Sequence, residues 1–124
     1  MSPSQITPLD EATAYHLNDT KASQIDALNA ARLLVEELPF AATDMQIIRI
    51  RRQFRFEWGV RLDVLRSDAA LLPQVAALLG GELRTKVERI GHGAVTRYEL
   101  LTGELHGVPF EISAFMGTQL VAVA

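Results

Sequence analysis

The chain contains no cysteine. That excludes disulfides, thiol nucleophiles, iron–sulfur clusters and cysteine-based zinc sites together. A reducing, cytoplasmic setting is compatible with this and is the expectation. Lysine is nearly missing too, since ten of the twelve basic residues are arginine, the residue suited to fork-like pairing with carboxylates or phosphates. No window approaches the eighteen or so uninterrupted apolar residues of a membrane span. Met1 to Leu9 lacks the basic and apolar segments of a secretory leader. Aromatic residues are few, with one Trp, two Tyr and five Phe, and three of them fall within five positions: Phe54, Phe56 and Trp58.

That cluster lies in the most patterned stretch of the chain. From Ile48 to Val64 the even positions are mostly apolar (Ile48, Ile50, Phe54, Phe56, Trp58, Val60, Leu62, Val64). Arg49, Arg51, Gln53, Arg55, Glu57, Arg61 and Asp63 hold the odd ones, and Arg52 is the only charge on the even parity. A period of two specifies strand, with one face toward a core and a basic face toward water. Seventeen residues would span roughly 55 Å at strand rise, so the run must turn. Glu57-Trp58-Gly59 is the expected turn, giving strands at about 46–56 and 60–66, because Gly59 can take a left-handed conformation. Arg51-Arg52-Gln53 is the competing break.

At 124 residues the chain fits one domain and should bury roughly two thirds of its unfolded surface. Residues 1–20 have two prolines and no apolar period, and read as an arm; residues 21–124 read as a single α+β domain. A helix is expected from about Lys21 to Leu38, its apolar face formed by Ile25, Leu28, Ala31, Leu34, Val35 and Leu38. Pro39 ends it. A second helix, Ala69 to Leu79, tolerates Pro73 only in its first turn and is capped by Gly80-Gly81. It is almost free of polar residues, which implies cover on more than one side. Strands follow at Leu83–Ile90, Val95–Gly103 and Val108–Phe115, joined at Gly91-His92-Gly93 and by a tight hairpin at His106-Gly107. Pro109 lacks an amide, so its strand is expected to start at an edge or with an unpaired amide side. The apolar tail from Gln119 suits a sixth short strand or a segment docked on a second subunit. The fold expected is α+β: an antiparallel or mixed sheet of four to six strands with two helices packed on one face.

Few residues suggest chemistry. His16, His92 and His106 have no metal-ligand spacing, and His106 beside Glu104 has no accompanying nucleophile. Neither Gly80-Gly81 nor Gly91-His92-Gly93 stands between a strand and a helix, as a phosphate-binding loop requires. Glu82, Glu88, Glu99 and Glu111 are spread among arginines and lysine, as cross-strand ion pairs would be. No catalytic residue, metal or cofactor is assigned.

From Gly59 onward, the order Val60–Arg66, Asp68–Gly81, Glu82 and Leu105–Glu111 resembles small uncharacterised α+β domains of high-GC bacteria and their phages. The resemblance covers about half the chain, implies the α+β topology and a bacterial or phage origin, and carries no activity.

Two surfaces remain. Arg49, Arg51, Arg55 and Arg61 would project from one side of a β-ribbon, as a solvated face paired with neighbouring acids, or else toward a protein or a nucleic-acid backbone. Phe54, Phe56 and Trp58 on the other side are core, or else a dimer seam or apolar pocket if the helices leave part of the sheet bare. The function expected is a non-enzymatic accessory or protein-interaction protein forming homodimers. A nucleic-acid-binding or regulatory protein, or a small-molecule-binding module, is the alternative.

Overall fold

The computed structural model describes residues 8–52, 55–91 and 93–120, with side chains described from Ser23 onward. Phe54, His92, the side chain of His16 and residues 121–124 lie outside the described residues.

The fold is α+β, with a five-stranded mixed sheet and two helices on one face. Helix α1 (Pro8–Glu37) precedes the β1 (Asp44–Arg52) and β2 (Arg55–Val64) hairpin. A 3₁₀ turn (Arg66–Leu71) leads into α2 (Leu72–Leu79), and β3 (Glu82–Arg89), β4 (Ala94–Leu105) and β5 (Val108–Leu120) form a meander. The order across the sheet is β1-β2-β5-β4-β3, with β2 and β5 parallel and all other neighbours antiparallel. Helix α1 lies against β2, β1 and β5, and α2 against β4 and β3.

Helix α1 begins at Pro8, earlier than the expected start near Lys21, so residues 8–20 are helical. Pro8 opens the helix where a missing N–H is harmless, and Leu9, Ala12 and Ala14 are residue types that favour helix. An apolar stripe is needed for packing, not for helicity. The packed face also differs from the expected one. Ala27, Ala30, Ala31, Leu34 and Leu38 are buried, whereas Ile25, Leu28 and Val35 are about half exposed. Alanines let the helix approach the sheet closely and leave the larger side chains on its flank. Helix α2 has Pro73 in its first turn and Gly80 as a left-handed cap at φ 74°. Only Leu72 and Val75 are buried in it, and Leu78 faces out, so it is covered on one side rather than two.

The hairpin turns at the competing position. Arg52 pairs with Arg55, and Gly59 pairs with Ile48 in mid-strand, so the turn expected at Glu57-Trp58-Gly59 is corrected. Gly59 serves close approach instead. A Cβ there would lie 2.5 Å from the Pro109 carbonyl oxygen and 2.6 Å from Ile50 Cδ1. Pro109 belongs to the central strand, not to an edge. The β2–β5 register begins one residue later, at Val60↔Phe110, so its missing amide precedes that ladder. The closing hairpin is as expected, with His106 and Gly107 at φ 50° and 81°, the pair of positive values a two-residue turn needs. Strand β5 runs on to Leu120 with Met116 as an extra residue where the register to β4 shifts, so residues 119 and 120 extend it instead of starting a sixth strand.

The core lies between the sheet and the helices: Val60, Leu62, Val64, Leu101, Phe110 and Ile112 against the alanine face of α1 and Leu72 and Val75 of α2. Gly59→Ala should cost about 1–3 kcal/mol through overpacking. Gly80→Ala, in open space but at positive φ, should cost about 1 kcal/mol through backbone strain alone. Urea midpoints of the two variants check the order.

Candidate functional site

Cross-strand partners share a face of a sheet, so the register decides what the ribbon presents. In β1 and β2, paired residue numbers sum to an odd value, as in Arg52↔Arg55 and Arg49↔Trp58. An odd sum puts the even residues of β2 beside the odd residues of β1. Met45, Ile47, Arg49 and Arg51 therefore share the helix side with Phe56, Trp58, Val60 and Leu62. Ile48, Ile50 and Arg52 share the helix-free side with Arg55, Arg61 and Asp63. The arginine face is thus corrected: Arg49 and Arg51 lie on one side, Arg55 and Arg61 on the other. These four arginines therefore do not form a single face. Met45-Gln46-Ile47 held the missed signal, since its apolar residues carry the odd parity just before the run at Ile48 begins.

The aromatics and arginines do meet. The Arg49 guanidinium lies over the Trp58 ring, 5.2 Å from its centroid, a cation–π contact worth about 0.5–1 kcal/mol where exposed. Phe56 is 63% exposed, and Trp58 is half-buried against the core. The indole Nε1 is buried and, among the described residues, has no acceptor. These residues line a cleft of about 400 Å³ at the end of the sheet, together with Asp26 of α1, His106 and Val108. Ser23 is there as well, yet no hydrogen bond joins any two of Ser23, Asp26 and His106. The cleft presents a cation and an apolar wall, which are recognition groups and do not amount to an activated nucleophile.

On the helix-free side Arg52 is the hub. It bonds Glu57 at 3.0 Å through Nη1 and Glu104 of β4 through Nη2. Glu57 also takes Arg55 at 2.8 Å. The hydrogen bond to Glu104 comes first among the causes that raise the Arg52 pKa above its ordinary value, and Glu57 adds to it; Arg52 stays charged throughout. Each partly exposed pair contributes little, but the set ties the ribbon across the sheet to β4. Arg61 pairs with Asp63 at 3.7 Å and Lys86 with Glu88 at 2.9 Å. Thr85 donates to Glu99 at 3.0 Å. Glu88 and Glu99 thus find partners within the strand or in a hydroxyl, where cross-strand ion pairs were expected. Among the described residues no group of three His, Asp or Glu side chains is placed to hold a metal, and no helix is long and apolar enough to cross a membrane.

The two edges of the sheet differ. Strand β3 carries charge at Glu82, Arg84, Lys86, Glu88 and Arg89, five of its eight positions. Strand β1 has none between Asp44 and Arg49, only Met45, Gln46, Ile47 and Ile48. Among the described residues no strand pairs its outer side.

Comparison with family models, with curated proteins and with solved structures finds no match to this chain.

Trp58→Phe removes a buried unpaired donor whose burial costs about 1–3 kcal/mol, and that gain offsets the lost indole area. The variant should unfold within about 1 kcal/mol of the parent, whereas Trp58→Ala should lose about 2–3 kcal/mol. Urea titrations followed by circular dichroism distinguish the two.

Proposed function

We propose that this chain is a non-enzymatic interaction protein that self-associates through the flank formed by strand β1 and the outer side of α1. The carrying observation is the second apolar stripe of α1. Ile25, Leu28 and Val35, at 48%, 52% and 43% exposure, lie outside the buried alanine face. Spacings of three and seven residues keep them on one side of the helix.

Position ties that stripe to β1. Asp26 lines the cleft with Arg49 of β1, Trp58 of β2 and His106, and α1 lies against β1 as well as β2 and β5. At about 100° per residue, Leu28 and Val35 lie on the side of the helix opposite Asp26. A flank with an apolar helix stripe over an uncharged strand segment is the kind of contiguous patch that marks an interaction surface. The cleft groups described above have no comparable reactive geometry, which favours association over catalysis.

Static light scattering across concentrations tests the reading. The parent chain should show a mass rising to that of a dimer. Leu28→Glu should shift the transition to at least tenfold higher concentration while the circular dichroism spectrum stays unchanged, because Leu28 is outside the core. A parent chain that stays monomeric at high micromolar concentration overturns the reading.

A further inference from the structure

Resting on that self-association, we infer that the partner is a second copy of this chain, joined antiparallel edge to edge along β1 about a twofold axis at Ile48. Two sheets would then merge into one of ten strands.

The register follows from which backbone groups are free. In an antiparallel ladder, residues alternate between pointing their amides and carbonyls toward the partner and away from it. Arg52↔Arg55 closes the two-residue connection, the position of a hydrogen-bonded pair, so the even residues of β1 turn inward to β2. Met45, Ile47, Arg49 and Arg51 therefore present their backbone groups to the open edge. Two copies can bond only where these odd residues face odd residues, which requires an even register sum.

Charge then selects among the even sums. With Ile48 opposite itself, Asp44 of each copy faces Arg52 of the other, twice across the axis. Asp44 has no ion pair among the described residues. Arg52 is held on Glu57 and on Glu104 of β4, inward from the open edge, so its match to Asp44 is one of charge sign along the edge and not a direct ion pair. A shift one way places Arg49 opposite Arg49, a like-charge pair on the axis. A shift the other way sets Asp44 against Ile50 and carries Arg52 past it. Only the register centred on Ile48 has two complementary pairs and no like-charge pair facing directly.

The helices agree with this geometry. Strands about 4.8 Å apart would put the two β2 strands, with α1 above each, about 14 Å apart. That exceeds the 8–10 Å of directly packed helices, so the two α1 helices would flank the seam without clashing across it.

The cysteine-free sequence permits a clean test. Ile48→Cys should form a disulfide-linked dimer under mild oxidant, seen as doubled mass on a non-reducing gel, because a residue on the axis in a non-hydrogen-bonded pair faces its own copy closely. Thr85→Cys on the charged β3 edge should not. Met45→Pro removes one outward amide and no β1–β2 ladder bond, and should weaken the dimer at least tenfold while the circular dichroism spectrum stays unchanged. If the parent chain scatters as a dimer but Ile48→Cys fails to cross-link, or Thr85→Cys links as fast, or Met45→Pro dimerises like the parent, the β1 register is wrong and self-association stands. A monomeric parent removes both.

Discussion

The pairing of Arg52 with Arg55 is the constraint on which the rest of the structure depends. A connection of two residues gives an odd register sum and so exchanges the faces of odd and even positions between the two strands. Val60, Leu62 and Val64 then enter the core opposite Ile47 and Met45, while Ile48 and Ile50 pass to the far side. Arg52 leaves what looked like an apolar face and arrives among acids, where Glu57 and Glu104 hold it. The same exchange sets Arg49 over Trp58. A three-residue turn at Glu57-Trp58-Gly59 would have kept one parity on one face and needed space at Gly59 for a bend, but Pro109 and Ile50 crowd that position.

The second determinant is side-chain size on α1. Ala27, Ala30 and Ala31 face the sheet, so the helix can lie close to β2 and leave room for Phe110 and Leu34 between the layers. Burial of larger residues on that face would have lifted the helix. Their displacement to the flank keeps Leu28 and Val35 in water, at a cost of roughly 25 cal/mol per Å² of apolar surface left unburied. Close packing of the core and an apolar flank are therefore two results of one residue pattern. The helix-free face of the sheet meets water differently, through Arg52, Arg55 and Glu57, then Arg61 with Asp63 and Lys86 with Glu88.

Most of the architecture was legible in the sequence because it depends on local signals. Gly80, Pro73 and the His106-Gly107 turn each act within a few residues, and the period of two in Val108–Ala114 needs no partner to be read. The hairpin was harder. Arg52-Gln53-Phe54-Arg55 has none of the glycine or asparagine that marks a tight turn, whereas Gly59 has the residue type without the role. Periodicity within one strand cannot say which face its neighbour's residues will join, since that needs the register. For the same reason the arginines at 49, 51, 55 and 61 read as one face. The start of α1 was hidden because residues 8–20 lack an apolar stripe, the signal that marks packing and not helix formation.

The two sheet edges complete the logic. Both expose backbone groups that can template another strand, and such edges are usually blunted by charge. Strand β3 is blunted along its length by charge at five of its eight positions, while Val87 within it and Leu78 of α2 stay exposed. Strand β1 is charged only at its ends, acidic at Asp44 and basic from Arg49 to Arg52. A strand with opposite charges at its two ends and an apolar middle complements itself when reversed. Reversal is the operation an antiparallel twofold performs, so the residues that would make β1 a hazard in isolation also define the partner it fits best.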